Sequence, residues 1–98
     1  MSITVKTPQD ARLELAARAK ARRLAINLSQ EGLARRAGIS TGTVKRFEKT
    51  GHISVDSLLA IALVLGDADE FDNLFKPKMA APLAIDETDR PPQRGRIK

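Results

Sequence analysis

The chain has 98 residues, a formal net charge of +5 and no cysteine. Its length supports one small domain with a core of packed apolar side chains, and the lack of cysteine excludes a disulfide framework or a cysteine-based zinc site. The opening residues do not resemble a secretory signal, and no apolar run approaches the roughly 20 residues that span a bilayer. We therefore expect a cytoplasmic protein without a membrane partner.

Charge is distributed unevenly along the chain. Residues 1–50 carry a net charge of +7, residues 51–75 carry −5, and residues 76–98 carry +3. A basic half joined to an acidic stretch favours one face that binds a polyanion and a second face with another role. Charge alone leaves an equal alternative, a solvated surface on which charges cluster by chance.

Helix 1 is predicted over about residues 8–26. The segment Thr7-Pro8-Gln9-Asp10 supplies an N-cap, a proline at the first helical position and an acid three residues after the cap. Apolar residues then recur at helical spacing, at Leu13, Ala17, Ala21, Leu24 and Leu28. Such a row is typical of the apolar face of an amphipathic helix.

Helices 2 and 3 are predicted as a closely spaced pair. Ser29 caps helix 2, which ends at Gly38, and Ser40 caps helix 3, which ends near Lys49. Two helices joined by a short turn that contains glycine form a helix-turn-helix unit. The glycine is needed because the turn requires a left-handed backbone conformation.

The apolar pattern of this pair defines an inner and an outer face. Ala34 is small, as the steep crossing of the two helices requires. The apolar residues that must turn inward are Leu33, Ala37, Ile39, Val44 and Phe47. The residues left on the outer face of helix 3 are Thr41, Gly42, Thr43, Lys45, Arg46 and Lys49. This outer set can make hydrogen bonds and carries positive charge.

Two more helices and a tail complete the predicted organisation. Ser54 opens helix 4 and Gly66 closes it, with a wide apolar face formed by Leu58, Leu59, Ile61, Ala62 and Leu65. A capping box at residues 67–70 starts helix 5, whose apolar anchors are Phe71, Leu74 and Phe75. We expect an extension over residues 1–7, a domain over 8–76, and a Pro-rich basic tail over 77–98 that is mostly disordered.

Residues 15–75 resemble the Cro/repressor type of helix-turn-helix domain, and the phrase "LSQEGLARRAGIS" at 28–40 is similar to that family's signature. The resemblance implies an all-α, five-helix fold and a sequence-specific DNA-binding transcription regulator that is associated with the nucleoid. No nucleophile, paired carboxylate or phosphate-binding loop stands out, so neither an enzyme nor a cofactor is predicted. His52 has no second ligand at metal spacing, which favours a surface residue and no metal site.

The resemblance also assigns DNA contacts. Helix 3 would enter the major groove, where Thr41 and Thr43 meet bases or phosphates and Gly42 lets the backbone approach. Arg46 would pair with guanine, and Lys45 would contact a base or a phosphate. The predicted phosphate contacts are Gln30 with the helix 2 amides, Arg22, Asn27, Lys49 and Thr50. A helix-start role for Thr43 and a solvated Arg46 are the structural alternatives.

Arg23 and Glu48 are set apart from the DNA contacts. The resemblance places them where the family has a partly buried salt bridge between helix 1 and the end of helix 3. Gly32 replaces the acid that commonly follows the Ser29 cap by three residues, so helix 2 lacks a reciprocal capping box.

A dimer and a protein partner are the remaining expectations. Apolar surface on helices 4 and 5 predicts a homodimer through Leu65, Phe71, Leu74 and Phe75. Residues 43–75, with the basic C-terminal tail, resemble the small helix-turn-helix partners of HipA-type kinase toxins, which implies an antitoxin that represses its own operon. The alternative is a stand-alone repressor without a toxin partner. An interaction module that has lost DNA binding is disfavoured because helix 3 keeps a basic outer face.

Overall fold

The computed structural model describes residues 6–78, and within them the chain forms five helices and no strand. The helices are α1 (Pro8–Ala25), α2 (Gln30–Ala37), α3 (Thr41–Thr50), α4 (Val55–Leu65) and α5 (Ala68–Asp72). The predicted all-α fold with five helices is therefore confirmed. The predictions for residues 1–5 and 79–98, which include most of the basic tail, lie outside the described residues.

Side-chain hydroxyls start the first four helices. Each one accepts a hydrogen bond from the backbone N–H three residues later, and the four N-caps are Thr7, Ser29, Ser40 and Ser54. The Thr7 cap is reciprocal, because the Asp10 carboxylate accepts in turn from the Thr7 N–H. These caps satisfy amide groups that a helix leaves without partners at its start.

The start of α5 differs from the predicted capping box. Asp67 makes no side-chain cap, and its backbone at φ −110° and ψ 18° is not the extended conformation that an N-cap needs. The Asp67 N–H instead closes α4 by donating to the Ala62 carbonyl at 2.8 Å. The Asp67 carboxylate is turned toward Arg22, so the prediction of a capping box was wrong.

The core lies between α1, α2, α3 and α4. Phe47 and Leu33 are the largest side chains that are fully buried. The other buried members of the core cluster are Ala16, Ala34, Val44, Ile61 and Leu65. Packing of α1 and α2 against α3, and of α2 against α4, connects these residues into one cluster and fixes the orientation of α3.

The buried side of α1 differs from the row of apolar residues in the sequence. Leu13 and Leu24 are 41% and 54% exposed, and Ala17 and Ala21 are also exposed. The buried positions of α1 are Ala16 and Arg23. Close packing against α3 needs small side chains, and a salt bridge brings Arg23 inside, so the leucine spacing indicated the wrong face. Leu28, which follows the helix, does pack against the core.

The apolar residues of α4 and α5 also divide differently from the prediction. Leu65 belongs to the core with 9% exposure, whereas Leu59 is 40% exposed. Leu74 and Phe75 are 55% and 94% exposed and do not anchor α5, and Phe71 is half-buried. No helix within residues 6–78 combines the length and apolar character needed to cross a membrane.

Candidate nucleic-acid interface

The turn between α2 and α3 is built around Gly38. Its backbone is left-handed at φ 72° and ψ 30°, and the Ile39 N–H returns to the Ala34 carbonyl at 3.0 Å. This bond pattern satisfies carbonyls at the end of α2, and Ser40 then caps α3 directly. Ala34 is only 2% exposed, so its small side chain is needed where the helices meet.

Helix α3 presents one face to the core and the other to solvent. Val44 and Phe47 are 0% and 1% exposed, and they fix the rotation of the helix about its axis. Gly42, Lys45, Arg46 and Lys49 lie on the exposed face, while Thr41 and Thr43 are half-buried at its edge. The structure therefore brings the six outer-face residues together on one helix of ten residues.

Hydrogen bonds order the N-terminal turn of α3. The Thr43 N–H donates to Ser40 Oγ at 3.0 Å, and the hydroxyls of Ser40 and Thr43 lie 2.8 Å apart. A hydroxyl can donate once and accept twice, so Thr43 keeps capacity for an outside partner. Its role at the helix start and a contact with DNA are thus compatible.

A polar groove of about 360 Å³ adjoins this turn. It connects the start of α3 with the start of α4. Its lining residues are Ser40, Gly42, Thr43, Arg46, His52, Ile53, Ser54 and Ser57. Two helix N-termini with exposed polar side chains therefore border one concave surface, and such N-termini favour anionic groups.

The C-terminal end of α3 is packed tightly against α1. Gly51 follows the helix at φ 81°, and a Cβ atom at this position would lie 2.7 Å from the Arg12 carbonyl oxygen. Arg12 Nε also donates to the Thr50 carbonyl at 3.2 Å. One end of α3 is thus held by the domain while its other end faces solvent.

These features place a capped, outward-facing second helix directly after a short glycine turn. A helix-turn-helix family model matches residues 20–71, which is more than half of the chain. The chain belongs to the helix-turn-helix family. This helix-turn-helix protein is a sequence-specific DNA-binding transcriptional regulator, and the match supports the resemblance to the Cro/repressor type. No curated protein matches the chain at a significant level.

Behind the exposed face of α3 in this helix-turn-helix protein, Arg23 and Glu48 form a buried ion pair. The guanidinium donates to both carboxylate oxygens, from Nε at 2.7 Å and from Nη2 at 3.0 Å. The two side chains are 6% and 4% exposed. Arg23 Nη1 donates further to the Leu28 carbonyl at 2.8 Å. The pair therefore ties α1, the α1–α2 turn and α3 together.

Gln30 belongs to the same cluster. Its amide Nε2 donates to Glu48 Oε1 at 3.0 Å. One amide proton is thus engaged inside the protein, and only the second proton can reach a phosphate. Burial by itself raises the pKa of Glu48, but hydrogen bonds from Arg23 and Gln30, with the charges of Arg23 and Lys20, outweigh burial and lower the pKa.

Arg22, another predicted phosphate contact, is engaged in hydrogen bonds within the protein. Its Nη1 donates to the Asp67 carboxylate at 2.8 Å, and its Nη2 donates to the Leu65 carbonyl. The side chain therefore stabilises the turn between α4 and α5, where Leu65 ends a helix and exposes a negative dipole. Because these bonds hold its guanidinium there, Arg22 would have to break or share them to reach DNA, and its phosphate contact stays a prediction.

The other predicted phosphate contacts are Lys49, Thr50 and Asn27, and each of them has a different local environment in the structure. Lys49 and Thr50 lie in the last turn of α3. The Thr50 hydroxyl donates to the Arg46 carbonyl at 2.7 Å and accepts from the His52 N–H, so it mainly ends the helix. Asn27 is exposed and takes a left-handed conformation at φ 59° to end α1.

Sequence reasoning missed the part of the candidate interface that the start of α4 contributes. His52 was interpreted as surface, and Ser54 only as a helix cap. Both line the polar groove, together with Ser57. The only signal in the sequence was a second serine cap soon after the first. A serine cap does not reveal which other helix start it adjoins, because that depends on how α4 crosses α2.

Proposed function

We propose that this protein is a repressor that binds its operator as a symmetric dimer, with α3 of each subunit in the major groove of one half-site. The observation that carries the proposal is the exposed face of α3, held in a fixed rotation by the buried Val44 and Phe47. A helix presented this way at the second position of the motif is the element that reads base edges.

Within this face, Arg46 is the main base-reading residue. It is exposed and borders the polar groove, and an arginine can donate two hydrogen bonds to guanine O6 and N7. Thr41, Thr43 and Lys45 contact bases or adjacent phosphates, and Gly42 allows close approach. A Cβ at Gly42 would have no neighbour nearer than Ser40 Oγ at 3.9 Å, so the space over it is open.

Phosphate contacts position the two subunits on the duplex. On one side of α3, the phosphate is contacted by the amides at the start of α2, the second amide proton of Gln30, and the exposed Asn27 and Lys49. His52 and Ser57 serve on the other side, from the polar groove. Such contacts fix the orientation of the protein but do not read sequence.

The dimer is formed through α4 and the turn after α5. Leu65 cannot take part because it is buried in the subunit's own core. Leu74 and Phe75 stay in the proposed interface as exposed apolar side chains. Phe71, which lies three residues before Leu74 in the sequence, is half-buried. Val55 and Leu63, which are 68% and 70% exposed on α4, extend the apolar surface.

We further propose that the repressor is the antitoxin of a kinase-type toxin. This rests on the resemblance of residues 43–75 to the partners of HipA-type kinases, and the alternative is a stand-alone repressor. A kinase-like reading frame beside this gene, and co-purification of its product with the chain, would support the antitoxin. Light scattering that reports a monomer both free and on DNA would contradict the dimer.

Footprinting on the chain's own promoter tests the repressor directly, with Arg46→Ala beside a charge-matched control, Arg18→Ala. Arg18 is two residues from the buried Ala16, which places it about 200° away around α1. We expect Arg46→Ala to weaken operator binding by about 1–3 kcal/mol and to relax the preference at one base pair per half-site. Arg18→Ala should retain the footprint. Equal loss on operator and random DNA would show that Arg46 contacts only phosphate.

A further inference from the structure

A second groove lies on the side of α1 that faces α4 and α5. It has a volume of about 340 Å³, within the range of pockets that bind ligands. Its floor is apolar, formed by Leu15, Ala19, Leu58, Ala62, Leu65 and Phe71. Arg18, Arg22 and Asp67 also line it. Leu15 is 37% exposed there, so the groove presents apolar surface to solvent.

We propose that residues 80–87 of the same chain occupy this groove. Their sequence, "AAPLAIDE", begins with six apolar residues and ends with two acids. The apolar part suits the floor, and Asp86 and Glu87 suit the arginines. Arg22 is paired with Asp67, but Arg18 forms no salt bridge among residues 6–78, so its charge is available to an acid from the segment.

The segment is close enough to reach the groove. Phe71 of α5 lines the groove, and the segment begins nine residues later. Phe75 has a left-handed backbone at φ 67°, which turns the chain just after α5. An extended chain covers at most about 3.3–3.6 Å per residue, so residues 78–83 span up to about 17 Å, more than the 10–12 Å width of a helix.

The other terminal segments fit the groove less well. Residues 1–5, "MSITV", contain no acid to pair with Arg18. Residues 90–98, "RPPQRGRIK", contain no acid either and would repel the arginines. A segment tethered in the same chain also has an effective concentration in the millimolar range, which favours it over the same segment from a second copy.

A spin label tests this occupancy directly. The chain has no cysteine, so Thr88→Cys in the full chain gives one site for a nitroxide just after the segment. We expect the amide signals of Ala19 and Ala62 to lose most of their intensity, while the Thr41 amide does not. Leu83→Asp combined with Ile85→Asp should restore the lost signals. Full intensity at Ala19 and Ala62 in the labelled chain would overturn the proposal.

Two controls separate the source of the segment and the specificity of the groove. Mixing isotope-labelled chain without nitroxide and unlabelled chain with nitroxide should leave all signals intact, and signal loss would assign the groove to a second copy and overturn the proposal. Leu15→Gln should weaken the effect, whereas Leu13→Gln should not. Leu13 is a matched control because its exposure on α1 is similar, 41% against 37%, but it does not line the groove. Equal effects of the two variants would also overturn it.

Discussion

Two adjacent arginines fasten α1 to different parts of the molecule. Arg23 joins α1 to α3 through Glu48, with side chains that are 6% and 4% exposed. Arg22 joins α1 to the α4–α5 turn through Asp67, with side chains that are 48% and 40% exposed. Both ion pairs are 2.7–2.8 Å long. Their lengths are therefore the same, and burial is what distinguishes them.

The difference teaches that an ion pair's contribution depends on what remains when one partner is lost. An exposed partner returns to water at little cost, so surface pairs contribute about 0–1 kcal/mol. A buried partner left without its counter-charge keeps the desolvation penalty. The junction of α1 with α3, the helix proposed to read DNA, should therefore be the more sensitive of the two.

The largest expected effect comes from breaking the buried junction. Arg23→Ala leaves Glu48 buried with weaker partners and should lower the free energy of unfolding by about 3–5 kcal/mol. Chemical denaturation measures this loss. Replacing both partners, with Arg23→Met and Glu48→Leu, should cost less than the two single changes added together. A variant of Arg23 with unchanged stability and lost operator binding would make Arg23 a phosphate contact.

Each junction contains a glycine, and replacing these glycines compares how tightly the two junctions are packed. Gly51→Ala and Gly66→Ala share the cost of a left-handed alanine, about 1–2 kcal/mol. At Gly66 the nearest atom to a new Cβ is Arg22 Nη2 at 4.0 Å, whereas at Gly51 the Cβ would overlap the Arg12 backbone. We expect Gly51→Ala to cost a further 1–3 kcal/mol or so. Equal melting temperatures for the two variants would contradict tight packing at Gly51.

Lowering the pH should weaken the buried ion pair of Arg23 and Glu48. The pKa of Glu48 is lowered in the folded protein, so its stabilising contribution is complete above the unfolded pKa of about 4.3 and is lost as pH falls through the folded value. Urea denaturation between pH 7 and pH 3 should therefore show a smaller acid-induced loss in Glu48→Gln than in the wild type. Parallel curves would mean that Glu48 does not contribute to acid sensitivity.

The smallest effect is expected at the exposed junction. Arg22→Ala removes the bonds to Asp67 and Leu65, yet both partners can be solvated, so the loss should be about 1 kcal/mol or less. Operator affinity should be unchanged if the bonds to Asp67 and Leu65 keep the guanidinium at the α4–α5 turn in the complex. Denaturation and DNA titration of the same sample measure both quantities. A large loss of affinity at unchanged stability would show that Arg22 contacts a phosphate.

The sequence predicted the helices well because their ends are local events. Ser40 and Gly38 mark their boundaries through hydrogen bonds within a few residues, and the inner face of α3 follows from the spacing of Val44 and Phe47. The side of α1 that is buried could not be found this way, because it depends on Arg23 reaching a partner 25 residues away. The role of Arg22 depends on contacts 43 and 45 residues away.

The residues of the candidate site differ in the same way, since some could be predicted from the local sequence and others depend on packing. The outer residues of α3 were recognisable because one helix carries them all. The contribution of His52 and Ser57 was not, because it requires the start of α4 to lie beside the start of α3. Leu65 ends α4 and Leu74 lies in the turn after α5. They have the same side chain, and only the packed structure places one in the core and leaves the other exposed.

The asymmetric anchoring of α3 bears on how binding preference can be changed. Its C-terminal end is fixed by Gly51 and Arg12, while the space over Gly42 is open. Substitutions at exposed positions such as 42, 45 and 46 need not disturb the core. Related copies of this gene in one cell could therefore acquire separate operators by changes in this half-helix alone. A library randomised at these three positions should likewise yield repressors that bind different operators and keep the same fold.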